Sequence, residues 1–178
     1  KSLLRHKLAT SSLDDMSTKS SFHRILWDDA ETPGREGKVK LVKDNKVRRV
    51  VLCSGKVYYD LFEAREESGE DDVYLLRVEQ FYPVPRKSLI QELKRFPQAE
   101  IVWCQEEPRN MGAWTFIRDE IEWCLEQVEA KHTRPLYAGR RASASTATGL
   151  MSKHVAERDA FIDAALGDSG NCTTFETA

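Results

Sequence analysis

The feature that most constrains the fold is an alternation of short apolar runs and amphipathic stretches that begins at residue 47. The short runs are rich in β-branched and aromatic residues, which predicts buried strands at residues 47–55, 73–80, 100–108 and 134–139. Apolar residues at helical spacing predict helices at residues 56–69, 86–96, a long stretch after Gly112, and 150–166. This alternation predicts a three-layer αβα domain, of class α/β, with a mostly parallel sheet of four or five strands.

The two ends of the chain lack this alternation. Residues 1–46 are predicted to be an N-terminal arm or linker from a preceding domain, residues 47–167 the C-terminal α/β domain, and residues 168–178 a flexible tail. The apolar cluster of the arm predicts one edge strand or one patch packed on a neighbour, and it contains Phe22, Ile25, Leu26 and Trp27.

Composition and spacing exclude several classes of protein. No apolar run approaches the ~18 residues of a membrane-spanning helix, so no membrane partner is expected. The 27 basic and 29 acidic residues give a net charge of −2, which argues against a nucleic-acid partner. The four cysteines form no CxxC pair and the four histidines show no ligand spacing, so neither a metal site nor a disulfide scaffold is predicted.

Ser54-Gly55-Lys56 stands where the first strand passes into the first helix, at the sheet edge where α/β proteins bind ligands. The segment is not a Walker loop, because Val50 replaces its first glycine and Val57 follows the lysine. Two compatible interpretations remain. Ser54 caps the helix through a backbone hydrogen bond, or Lys56 and the free helix amides bind an anion.

Arg140-Arg141 forms a second cluster at the end of the last strand, ahead of hydroxyl side chains at Ser143, Ser145, Thr146 and Thr148. Guanidinium groups and hydroxyls are suited to a phosphate or carboxylate. The alternative is a flexible connection whose arginines bond acidic residues of 60–72 and 119–129.

Glu106-Glu107 is a carboxylate pair at the end of the third strand. Adjacent strand residues point to opposite faces, so the pair is predicted to accept an ion pair from an arginine at the rim of the sheet. No catalytic residue is predicted.

Four segments together resemble a known family. They are residues 48–61 (RRVVLCSGKVYYDL), 77–85 (RVEQFYPVP), 103–114 (WCQEEPRNMGAW) and 137–149 (YAGRRASASTATG). They resemble the C-terminal domain of the thiamine-diphosphate-dependent, decarboxylating component of the 2-oxoglutarate dehydrogenase complex, over about residues 1–167. This resemblance implies a fold like the C-terminal domain of transketolase, and an N-terminus that is internal to a longer chain. Two residues depart from the family. Met111 stands where relatives usually have Gln, and Arg141 stands where many have Pro.

The resemblance also implies an activity for the whole enzyme. That family decarboxylates 2-oxoglutarate with thiamine diphosphate and Mg²⁺ and passes a succinyl group to lipoyl groups in the tricarboxylic acid cycle. A Gly-Asp-Gly motif holds the cofactor there, whereas this chain offers only Gly167-Asp168-Ser169. The segment is therefore expected to be catalytically inactive and to bind neither cofactor. Its expected partners are the other domains of its chain, a second copy in a homodimer, and the dihydrolipoyl acyltransferase component. The expected location is the cytoplasm of a bacterium or the mitochondrial matrix of a eukaryote.

Some relatives bind acetyl-CoA on this domain as an activator, and the matching motif positions here are Gln80, Lys87 and Arg141. With Ser54, Lys56 and Arg140, these residues are the predicted allosteric site for an anion or an acyl-CoA. The alternative function is an autonomous small nucleotide- or acyl-CoA-binding α/β module, built on Ser54, Gly55, Lys56, Arg140 and Arg141.

Overall fold

The computed structural model describes residues 3–168 and residue 170, which contain five strands and four α-helices besides short 3-10 turns. The strands are β1 (Ile25–Leu26), β2 (Arg49–Cys53), β3 (Val73–Val78), β4 (Glu100–Pro108) and β5 (Leu136–Arg140). The helices are α1 (Val57–Ser68), α2 (Arg86–Leu93), α3 (Trp114–Gln127) and α4 (Met151–Leu166). Every strand and helix predicted from residue 47 onward is confirmed, with ends that shift by a few residues.

The strands form one sheet in the order β1-β3-β2-β4-β5. β2 runs parallel to β3 and β4, and β4 runs parallel to β5. β1 pairs antiparallel with β3, placing Ile25 opposite Val78, so the edge strand expected from the arm is confirmed. The connections from β2 and β4 lead to opposite sides of the sheet. Such a switch in direction opens a crevice at the carboxyl ends of the two strands.

Helices cover both faces of the sheet, which confirms the three-layer αβα prediction. On one face Val50 and Leu52 of β2 belong to the core that contains residues of α2 and α3. On the other face Val51 and Cys53 belong to the core that contains residues of α1 and α4. Because β2 is buried on both sides, its sequence is a continuous apolar run without alternation.

The arm is fastened to the α/β unit by Asp28, whose side chain is fully buried. Its carboxylate accepts two hydrogen bonds from the guanidinium of Arg65, which is also buried, and one from the Leu75 amide at 2.8 Å. The neighbouring Asp29 amide donates to the Tyr58 hydroxyl at 2.9 Å. Residues 25–31 therefore fold with the sheet, although they precede the predicted boundary at residue 46. The predicted tail lies almost entirely outside the described residues.

Two arginines at the start of the central strand hold the end of the last helix. Arg49 donates to the carbonyls of Ala164 and Ala165 at 3.1 Å each, and its side chain also pairs with Glu100 at 2.7 Å. Arg48 donates to the carbonyls of Leu166 and Gly167 at 3.0 and 2.9 Å. These carbonyls have no partner within a helix, and they carry the negative end of its dipole, so the two cations stabilise this end of α4.

Candidate functional site

A cavity of about 530 Å³ lies at the switch point between the carboxyl ends of β2 and β4. Ser54, Gly55 and Lys56 line it from the β2 side, and Gln105 and Glu106 line it from the β4 side. These two strand ends meet because β2 and β4 are neighbours in the sheet.

The turn that enters α1 differs from the prediction for Ser54. Gly55 has a φ of +71°, and Lys56 is the N-cap residue, with no side-chain hydrogen bond at that cap. The Gly55 carbonyl accepts the Tyr58 amide and the Lys56 carbonyl accepts the Tyr59 amide, so the first helical turn begins after Ser54. The prediction that Ser54 caps the helix was therefore wrong, since its hydroxyl precedes the capping position.

The charge of Lys56 is compensated within the domain. Its ammonium donates to Asp60, one turn later in α1, and lies 3.7 Å from a carboxylate oxygen of Glu106. Burial raises the pKa of Glu106, and the charge of Lys56 opposes that shift. Glu106 is an ion-pair acceptor as expected, although its partner is a lysine and the prediction named an arginine.

Gln105 organises the floor of this cavity and was missed by the sequence analysis. Its side-chain oxygen accepts the Trp103 indole N–H at 2.9 Å and the Trp114 amide at 3.0 Å. Its side-chain nitrogen donates to three backbone carbonyls, of which the closest is Met111 at 2.7 Å. A loop between β4 and α3 is thereby fixed to the strand. The hydrogen bond to Met111 uses its backbone carbonyl, so it does not require a particular side chain at position 111.

A second cavity, of about 590 Å³, lies between β5 and α4 and is lined by Arg140, Arg141 and Ser143. Arg140 donates to Glu157 of α4 at 2.8 Å, and Thr148 donates to the same carboxylate at 2.5 Å. These two hydrogen bonds and the charge of Arg140 hold the pKa of Glu157 below its usual value. Arg140 therefore matches the alternative interpretation, in which the arginines of this segment bond acidic residues. Its partner Glu157 lies outside the two acidic segments that were predicted for this contact, residues 60–72 and 119–129.

The predicted anion-site residues do not converge on one cavity. Ser54 and Lys56 line the first cavity and Arg140 and Arg141 the second, because β4 separates β2 from β5. Two strand spacings amount to about 10 Å. The remaining two residues line neither cavity: Gln80 donates to the Pro83 carbonyl at 2.6 Å, and Lys87 is exposed in the first turn of α2.

The described residues do not fit thiamine diphosphate and Mg²⁺. Gly167 ends α4 and is bonded to Arg48 at the start of β2, which places it at the edge of the sheet opposite both cavities. Within residues 3–168 and 170, no group of three or more His, Cys, Asp or Glu side chains is placed to hold a metal ion. Cys53, Cys104 and Cys124 are buried and form no disulfide among the described residues, while Cys172 lies outside them. None of the described helices is both long enough and apolar enough to cross a membrane.

Comparison with known proteins gives one consistent result. The model of the family described as 2-oxoglutarate dehydrogenase C-terminal matches residues 10–166. The 2-oxoglutarate dehydrogenase E1 component of Brucella anthropi is 66% identical over 168 residues, which cover 94% of this chain and 17% of that protein. The same component of Brucella ovis is 66% identical over 167 residues, covering 94% of this chain and 16% of that protein. The chain thus spans about one sixth of the length of these curated relatives. These matches confirm the resemblance seen in the sequence, and the chain belongs to the 2-oxoglutarate dehydrogenase C-terminal family.

Proposed function

We propose that this chain is the C-terminal structural and regulatory part of a 2-oxoglutarate dehydrogenase E1 component. The observation that carries the proposal is 66% identity across 94% of the chain to a protein of that name. The whole enzyme would decarboxylate 2-oxoglutarate and transfer the succinyl group to lipoyl groups, as a homodimer associated with the acyltransferase component. These relatives are bacterial, which supports the cytoplasm over the mitochondrial matrix as the location of the enzyme.

The chain itself would contribute no catalytic centre. This part of the proposal is supported by the absence of a Gly-Asp-Gly motif and by the placement of Gly167 and Asp168 beyond α4. Thiamine diphosphate and Mg²⁺ would then be held entirely by other parts of the enzyme.

Calorimetric titration of the 178-residue chain with thiamine diphosphate and MgCl₂ tests this proposal. We expect no heat beyond dilution, because the diphosphate and metal ligands are not in the segment. The longer parent chain is the positive control and should bind the cofactor in a Mg²⁺-dependent manner. Saturable, Mg²⁺-dependent binding by the 178-residue chain would contradict the proposal.

The regulatory role would belong to the carboxyl edge of the sheet, with Ser54, Lys56, Gln80, Lys87, Arg140 and Arg141 as its candidate residues. Among the described residues, Arg141 makes no ion pair, and it is exposed at the cavity between β5 and α4. Ser143 lines the same cavity and adds a neutral hydroxyl donor. A phosphate of an acyl-CoA or a nucleotide would bind Arg141 more readily than Arg140, whose charge Glu157 already compensates.

Replacing Arg141 with alanine in the parent enzyme should weaken acetyl-CoA and AMP binding about 5- to 150-fold, because one charge-assisted contact of about 1–3 kcal/mol is lost. Calorimetry and activation of the enzyme measure the effect. Arg158→Ala is the matched control, since Arg158 belongs to the same helix α4 but pairs with Asp159 at 2.8 Å and does not line the cavity. If the wild type binds neither ligand, or the Arg141 variant binds both normally, Arg141 is not a ligand.

The alternative function, an autonomous nucleotide- or acyl-CoA-binding module, uses the same two cavities. It predicts that the 178-residue chain alone binds acetyl-CoA as tightly as the parent enzyme does. Titrating both proteins under the same conditions therefore separates the two functions.

A further inference from the structure

The outer face of α3 carries two large aromatic side chains that the described part of the chain leaves uncovered. Phe116 is 46% exposed and Trp123 is 41% exposed. They stand at positions i and i+7 of the helix, so the two rings form a stripe along one side of it. The side that α3 turns to the core is a different one, with Ile117 and Ile121. One exposed aromatic residue is ordinary in a soluble protein, whereas two aligned along one helix indicate a surface that a partner covers.

Arg86 of α2 is held beside this stripe before any partner binds. Its Nε and Nη2 donate to the two carboxylate oxygens of Glu120 at 2.5 and 2.8 Å. Its guanidinium carbon lies over the Trp123 ring, 4.8 Å from the centroid. The hydrogen bonds and the charge of Arg86 hold the pKa of Glu120 below its usual value. Arginine and tryptophan are enriched among the residues that dominate protein interfaces, and the existing order of both side chains lowers the entropy cost of binding.

Carboxylates flank the stripe on the side away from Arg86. Asp119 pairs with Arg118 at 2.7 Å. Glu122 and Glu126 make no ion pair within the part of the chain that the structure describes. The charged residues of the face therefore carry an excess of two negative charges, from Asp119, Glu120, Glu122 and Glu126 against Arg86 and Arg118. Such a surface attracts a basic partner and speeds its association.

The charge of this face argues against several other occupants. Two copies that met through it would each bring the same negative excess, so a symmetric dimer is disfavoured here. Nucleic acids and anionic membranes present phosphate groups, which the carboxylates repel. The face therefore fits a protein surface of positive charge.

The position of α3 in the fold points to a separate protein. The arm, through which any preceding part of a longer chain is connected, pairs through β1 at one edge of the sheet. α3 connects β4 to β5, and β5 forms the opposite edge. The outer face of α3 is thus remote from the arm.

We propose that the outer face of α3 docks a separate protein whose contacting segment carries lysine or arginine around an apolar side chain. The apolar side chain packs against Phe116 and Trp123, and the basic groups pair with Glu122 and Glu126. This docking surface does not depend on the proposed function, because it requires no ligand in either cavity.

Photo-cross-linking in cells that express the parent enzyme tests the surface. Phe116→p-benzoylphenylalanine places a photoreactive ketone on the face, at a position exposed enough to accept it. We expect a cross-link to one other protein, identified by mass spectrometry together with the linked peptide, and that peptide should have a net positive charge. A cross-link confined to the parent chain or its second copy, an acidic linked peptide, or the absence of any cross-link would each overturn the proposal.

Titration of the purified parent enzyme with the identified protein measures the roles of the individual side chains. Trp123→Ala should weaken binding about 30-fold or more, the usual effect of removing a central interface residue. The double variant Glu122→Gln, Glu126→Gln should slow association several-fold at low salt and reduce its dependence on salt. Glu67→Gln is the matched control and should bind normally, because Glu67 is an exposed glutamate of α1, on the other face of the sheet.

The glutamate variant keeps the proposal testable if circular dichroism shows that Trp123→Ala does not fold. Normal affinity of the folded Trp123 variant, or unchanged association and salt dependence in the glutamate variant, would overturn the proposal.

Discussion

Replacement of Asp28 with alanine is expected to lower the free energy of unfolding by about 3–5 kcal/mol, the usual effect of removing one partner of a buried ion pair. Asp28 and Arg65 both have 0% of their side chains exposed, so the variant leaves a buried guanidinium whose remaining carboxylate neighbour, Glu66, lies 3.9 Å away. Burial opposes the charged form of Arg65, but the hydrogen bonds and charge of Asp28 outweigh it and raise its pKa. The Leu75 amide would lose an acceptor as well.

Urea denaturation followed by circular dichroism measures this loss. Asp159→Ala is the control: it removes a half-exposed carboxylate paired with Arg158, and it should cost less than about 1 kcal/mol. The double variant Asp28→Ala, Arg65→Met should recover much of the lost stability, because neither charge of the pair remains. A loss below about 1 kcal/mol in the single variant would show that the pair does not hold the arm.

This pair also shows what the sequence could and could not predict. The apolar periodicity of residues 56–69 placed Arg65 on the same helix face as Val57 and Leu61, which is a sign that it is buried. Its partner is 37 residues away, in an arm without periodicity, and nothing in the local pattern identifies it. The helices and strands were predictable because burial on one or both faces dictates residue order, whereas an ion pair between distant segments depends on the completed fold.

The second large effect is expected for Gln105→Leu, which should lower the free energy of unfolding by about 2–4 kcal/mol. Leucine has a similar size but offers no hydrogen bond to the Trp103 indole, the Trp114 amide or the Met111 carbonyl. The side chain of Gln105 is buried, so water cannot replace these bonds without rearrangement. The loop before α3 should therefore loosen even where the rest of the domain stays folded.

Hydrogen exchange of the Trp114 amide, together with urea denaturation, measures both effects. Gln91→Leu is the control, because Gln91 is exposed on α2 and its replacement should change stability by no more than about 0.5 kcal/mol. Unchanged exchange at Trp114 in the Gln105 variant would mean that the loop is held by other contacts.

The candidate site was predictable only in part. The carboxyl ends of parallel strands lie at one edge of a sheet, and the ends of β2 and β4 are next to each other at that edge. The order of strands in the sheet could not be obtained from the sequence, so the separation of Lys56 from Arg140 by β4 was not foreseen. Gln105 gave one available signal, an uncharged polar residue directly after the apolar run of residues 101–104, and a buried amide of that kind requires partners.

The hydrogen bonds from Arg48 and Arg49 to the end of α4 have a consequence for folding during synthesis. These arginines and their carbonyl partners are 115 to 119 residues apart in the chain. A ribosome adding about 5–20 residues per second therefore delivers the partners about 6–24 seconds after the arginines. During that interval the central strand has emerged without α4, one of the two helices that cover the same face of it. A nascent chain that ends before residue 150 should thus remain protease-sensitive and available to chaperones, and the domain should become resistant in a single step when α4 leaves the ribosome.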